Sequence, residues 1–143
     1  MIKLYPYLTY AGALPFIFCA MCLISDVNVI PVLGDTEKVL SVYGLVIASF
    51  IAGAHWGQHL ILKNNWSMYL PIFSNINACV LWVSFLTFSF KILLLILGSS
   101  FLILLLIDKN LFQNGLISRN YFHTRCWVTL TVISTIIISR VYA

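Results

Sequence analysis

Charge is scarce in this chain: of 143 residues, 8 are Lys or Arg and 4 are Asp or Glu, 8% in all. A soluble domain carries about 25%, because its surface must be solvated by water. So few charges cannot clothe a domain of this length, which excludes an ordinary soluble protein and leaves lipid as the solvent for most of the surface. The basic residues are scattered and form no stripe, so no nucleic-acid partner is expected. Internal repeats, low-complexity tracts and linkers are also missing, which argues for a single transmembrane domain over residues 1–143. No small-residue cleavage site follows the first apolar stretch, and bulky Phe18 and Met21 precede Cys19 and Cys22. That stretch is therefore expected to stay as a span rather than act as a signal peptide.

Chemistry that needs paired groups is equally thin. Cys19-Ala20-Met21-Cys22 matches C-x-x-C, but it lies inside an apolar stretch, and Cys79 and Cys126 form no second pair to relay electrons. Four structural cysteines are expected, not a disulfide-exchange enzyme. No Ser, His and acidic set can be assembled by spacing, which disfavours hydrolysis. No inverted repeat is visible, which disfavours a self-contained transporter.

What is abundant is apolar: 62% of residues, against about 45–50% in a typical globular chain. A membrane span needs about 20 such residues. Five stretches qualify, at about 7–25, 39–62, 66–90, 92–107 and 126–142, so an all-α bundle of about five transmembrane helices is expected. Only Lys91 and the Ser89-Phe90 turn separate the third from the fourth, yet an unbroken run from Trp66 to Ile107 would be about 63 Å of helix, twice the hydrocarbon thickness. A hairpin is close to forced. Lys3, Lys63, Lys109, Arg119 and Arg125 then share one side, with Lys38, Lys91 and Arg140 on the other. The bias places the N-terminus in the cytoplasm or matrix.

Polar and small residues mark protein-facing helix surface. The fourth span is almost purely aliphatic and is expected at the periphery. The second is its opposite: Ser49, Gly53 and Gly57 recur every four residues as a flat packing strip, and Ala48, Ala52, His55 and His59 occupy a neighbouring face. It is expected to be the central helix. Asn75 and Asn77 in the third span are expected to bond to a partner helix. Trp66, Tyr69, Tyr121 and Trp127 fall near interfaces, as an aromatic belt would.

His55 lies eight residues inside Lys63, about 12 Å into the hydrocarbon region, where an ionisable group is a functional-site hypothesis by default. His59 stands one turn closer to the cytoplasm, and such an i, i+4 pair suits chelation of one metal ion. No third ligand is identifiable, so the metal assignment stays unknown. Asp108 ends the fourth span and Arg125 opens the fifth, with His123 beside it. These residues either converge with His55 and His59 as one polar cluster or lie apart as snorkelling interfacial charge.

Several landmarks resemble a known family. Gly12-Ala13-Leu14-Pro15-Phe16, Tyr43-Gly44, and Ser49-Phe50-Ile51-Ala52-Gly53-Ala54-His55-Trp56-Gly57, with Asp108 closing a leucine-rich span and Arg125 followed by Thr129 or Thr131, are similar to the family of small multi-span membrane proteins of unknown function that includes mitochondrial transmembrane protein 69. Ala52 stands where the family has a glycine, and Thr124 where it has leucine. The resemblance covers nearly the whole chain. It implies a multi-pass protein of bacterial inner membranes, or of the mitochondrial inner membrane in a eukaryote.

Two functional classes follow. The leading expectation is a non-catalytic scaffold or accessory and assembly factor in the lipid bilayer, packed on other membrane protein subunits or on itself as a homo-oligomer. The alternative is a quinone-, haem- or metal-binding protein that uses His55 and His59, with Trp56 as an aromatic wall.

Overall fold

The computed structural model describes residues 5–61, 63 and 65–143. Lys3, Leu62 and the side chain of Trp66 lie outside the described residues. Five helices dominate: α1 (Tyr5–Ile24), α2 (Thr36–Gln58), α3 (Trp66–Thr87), α4 (Phe90–Gln113) and α5 (Arg119–Tyr142). All five are long and apolar enough to cross a membrane. Between α1 and α2, strands β1 (Val29–Ile30) and β2 (Gly34–Asp35) pair antiparallel, with Ile30 opposite Gly34. Gly34 has φ +101°, a conformation that glycine adopts without steric penalty. A short 3-10 turn, His59–Ile61, follows α2.

The expected break after the third span is real, but it falls at Phe88 and Ser89, whose extended backbone ends α3 and precedes α4. The interval Asp108 to Arg125 is not the expected loop. α4 continues to Gln113, and Gly115, at φ +74°, ends it in a Schellman motif, with Leu116 N–H donating to Leu111 O and Gly115 N–H to Phe112 O. Ser118 then caps α5, its Oγ accepting from Tyr121 N–H at 3.1 Å. Polar residues at the helix ends disguised those turns as loop. As a result Asp108 and Arg125 sit inside helices rather than at their ends.

The fourth span is not peripheral. α4 touches α2, α3 and α5, and Leu93, Leu94, Leu97, Phe101, Leu104 and Leu111 are all buried. The misreading has a physical cause: lipid tails are as apolar as leucine, so an aliphatic surface suits a core as well as a bilayer. α2 shares the centre with α4, packing through Gly44, Ala48, Ala52 and His55. Its Ser49, Gly53 and Gly57 strip faces away from the rest of the chain. All three residues are exposed, and a Cβ added at either glycine would meet nothing within 4 Å. Of the two asparagines, Asn77 accepts from Ser100 Oγ at 2.6 Å across α3 and α4, whereas Asn75 is exposed.

At Gly44 α2 packs closely on α4, since an added Cβ would stand 2.9 Å from Leu97 Cδ1. Gly44→Val is therefore expected to destabilise the fold toward the low end of the ~1–3 kcal/mol overpacking range, the end of the Leu97 side chain giving way in part. Gly53→Val should leave stability unchanged. Unfolding of both variants in mixed micelles checks this, and equal losses would contradict the packing described.

Candidate functional site

The buried acidic and basic side chains, His55, Asp108 and Arg125, gather at the bundle end that carries Lys63, Lys109 and Arg119. His55 stands on the last turn of α2, Asp108 on the penultimate turn of α4, and Arg125 six residues into α5. Each is delivered by an otherwise apolar helix face: Ala48, Ala52 and His55 on α2; Leu97, Phe101, Leu104 and Asp108 on α4; Arg125, Val128, Thr129 and Val132 on α5. These spacings of three and four residues place each polar group on a face turned into the bundle.

The three side chains form one connected set. His55 Nε2 lies 2.8 Å from Asp108 Oδ1, and Arg125 Nε donates to Asp108 Oδ2 at 3.0 Å. A carboxylate only accepts, so Nε2 carries a hydrogen, and in the tautomer with that hydrogen alone Nδ1 is an acceptor. Exposure is 2% for His55, 1% for Asp108 and 5% for Arg125. In such surroundings a lone charge is costly, and the pairing of Asp108 with Arg125 offsets much of that cost.

The pairing leaves atoms over. His55 Nδ1, the terminal Nη2 of Arg125 and Thr129 Oγ1 are buried and have no hydrogen-bond partner among the described residues. Thr129 differs in this from its neighbours on α5: the hydroxyls of Thr124, Thr131 and Ser134 each return to the backbone carbonyl four residues earlier. His55, Arg125 and Thr129 all line one cavity of about 260 Å³. Its other walls are mostly apolar, Thr9 and Tyr121 excepted, with Phe16 and Phe101 buried at its back. Leu8 on α1 and Phe50 and Ala54 on α2 are exposed at its edge, so it opens laterally between those helices.

Of the residues singled out in the sequence, His55, Asp108 and Arg125 come together; His59, His123 and Trp56 do not join them. α2 ends at Gln58, and His59 begins the 3-10 turn, so the i, i+4 register with His55 is not continued. His59 Nδ1 bonds to the Trp56 carbonyl, and its ring meets Trp56 edge-on at 4.8 Å. Trp56 is 44% exposed and His123 is also exposed. Among the described residues no group of three His, Cys, Asp or Glu is placed to hold a metal ion. The four cysteines are free thiols, Cys19 within the apolar core. Thr129 entered the sequence reading only as a residue following Arg125 in the family resemblance. Its i+4 spacing from Arg125 was the available signal.

These features define a multi-pass helical membrane protein with a buried His–Asp–Arg set against an internal cavity. The chain belongs to the DUF3429 family of proteins of unknown function, whose family model matches residues 1–141. No curated protein and no solved structure matches it.

Proposed function

We propose that this protein binds a small lipid-soluble molecule, which enters from the bilayer and seats its polar end against His55, Arg125 and Thr129. One observation carries the reading: an apolar cavity of about 260 Å³, open on the side of the bundle, has buried polar atoms without partners in its wall. Such groups are costly to leave unsatisfied, and a largely apolar pocket with a few convergent polar atoms is the usual form of a ligand site. The resemblance to the family that includes mitochondrial transmembrane protein 69 supports a location in a bacterial inner membrane or mitochondrial inner membrane. The excess of Lys and Arg at the site's end supports a cytoplasmic or matrix N-terminus for this five-helix unit. Haem is disfavoured, since the cavity sits at the lower edge of the roughly 300–1,000 Å³ of small-molecule sites. The quinone class fits better.

The test is organic extraction of protein solubilised gently from its native membrane, followed by mass analysis. Wild type is expected to release a lipophilic compound near one equivalent, and Ala54→Trp, which fills the mouth, to release at least tenfold less. Equal yields from the two would sink the proposal.

The outward strip of Ser49, Gly53 and Gly57 supports a second reading, the scaffold, because it leaves room for another backbone to pack closely. Gly53→Val would then lower the mass of the assembly in nanodiscs without harming the fold. An unchanged mass would end that reading.

A further inference from the structure

We infer that the cavity selects an aromatic hydroxyl compound, a phenol or quinol with an apolar tail, over the matching quinone or a fatty acid; this rests on the binding function proposed above. The three unpartnered atoms differ in kind. Arg125 Nη2 can only donate, and His55 Nδ1, in the tautomer whose one hydrogen is the Nε2–H given to Asp108, can only accept. Thr129 Oγ1 can do either. A quinone carbonyl accepts from Arg125 and Thr129 but leaves the imidazole nitrogen unsatisfied. A hydroxyl can satisfy all three, donating its hydrogen to Nδ1 while its oxygen accepts from both Nη2 and Oγ1.

Charge points the same way. Asp108 and Arg125 cancel, and with a neutral imidazole the set carries no net charge. A neutral head group preserves that balance, whereas a carboxylate would bury an extra negative charge among apolar walls. The walls favour a ring: Phe16, Phe50, Phe101 and Tyr121 all line the cavity. Its volume of about 260 Å³ exceeds the ~150 Å³ in which benzene binds an engineered apolar cavity, which leaves room for ring substituents. A longer tail would leave past Leu8, Phe50 and Ala54 into lipid.

The test uses the full chain in nanodiscs, kept anaerobic, and titrates three probes by calorimetry: decylhydroquinone, decylbenzoquinone and decanoic acid. The hydroquinone is expected to bind at least tenfold tighter than either of the others. Thr129→Val, which keeps shape and removes only the hydroxyl, should weaken the hydroquinone about tenfold, while Thr131→Val should change nothing. If quinone and hydroquinone bind equally and Ala54→Trp excludes both, the binding function stands and the selectivity is overturned. Preference for decanoic acid overturns the selectivity too. If no probe binds, or Ala54→Trp binds as well as wild type, the binding function itself fails and water alone satisfies the polar atoms.

Discussion

Asp108→Ala is expected to destabilise the protein by about 3–5 kcal/mol, the range for breaking a buried ion pair by removing one partner. The carboxylate is 1% exposed and bonds to both His55 and Arg125. Without it the guanidinium, 5% exposed, stands uncompensated inside the bundle, and the imidazole N–H loses its acceptor. Arg125 lies six residues into α5, about 9 Å of helix rise, so snorkelling recovers only part of its solvation. Arg125→Met is expected to cost less, because Asp108 keeps its hydrogen bond to His55. Asp108→Leu combined with Arg125→Met removes both charges together and should restore most of the stability lost in Asp108→Ala. Reversible unfolding in mixed micelles measures all three. Asp108→Ala as stable as wild type would show that these groups do not form a buried ionic set.

The number of helices, and the hairpin between α3 and α4, were legible in the sequence because each span must exceed the bilayer thickness, a constraint of length that needs no knowledge of packing. Which helix lies inside was not legible. Leu93, Leu97 and Leu104 bear the same aliphatic chemistry as lipid-facing Leu102 and Leu106, and in a membrane hydrophobicity does not separate core from surface. The Ser49, Gly53 and Gly57 strip lies on the outward side of α2. Small residues show where a backbone can approach, but not whether the partner belongs to the same chain.

The site divides along a similar line. His55, Asp108 and Arg125 stood out as the ionisable groups that fall within or beside apolar runs, where an unpaired charge is prohibitive. Their meeting follows from topology, since alternating spans bring the end of α2, the end of α4 and the start of α5 to one side. His59 and His123 share that side but lie on outward positions, and one residue along a helix turns a side chain by about 100°. The cavity was invisible in the sequence, because it is a gap among four helices, α1, α2, α4 and α5, and depends on how α1 leans on α2 and α5. Tyr43, whose hydroxyl donates to Gly12 O at 2.7 Å, ties α1 to α2 beyond the cavity, and Phe16 packs edge-on against Tyr43 and Phe101.

Phe101→Ala is the second large effect expected, a loss of about 2.5–3.5 kcal/mol. In water, removing a buried phenylalanine costs about 3–5 kcal/mol, much of it lost transfer from solvent. Here the unfolded reference still lies in lipid, so the transfer part largely vanishes and the packing part remains. At about 24 cal/mol per Å³, a void on the order of 100 Å³ costs about 2 kcal/mol, and the edge-to-face contact with Phe16 adds about 0.5–1.5 kcal/mol. Phe101 is 2% exposed and lines the cavity of about 260 Å³, so the missing ring merges with existing space, and neighbouring side chains have little to collapse onto. Phe50→Ala is the matched control. Phe50 lines the same cavity but is 75% exposed at its mouth, and its loss should stay within about 0.5 kcal/mol. The two variants, unfolded side by side in mixed micelles, separate the back of the cavity from its opening. Equal losses would mean that the cavity has no rigid inner wall, and a hydroxyl held there would have no fixed geometry against His55, Arg125 and Thr129.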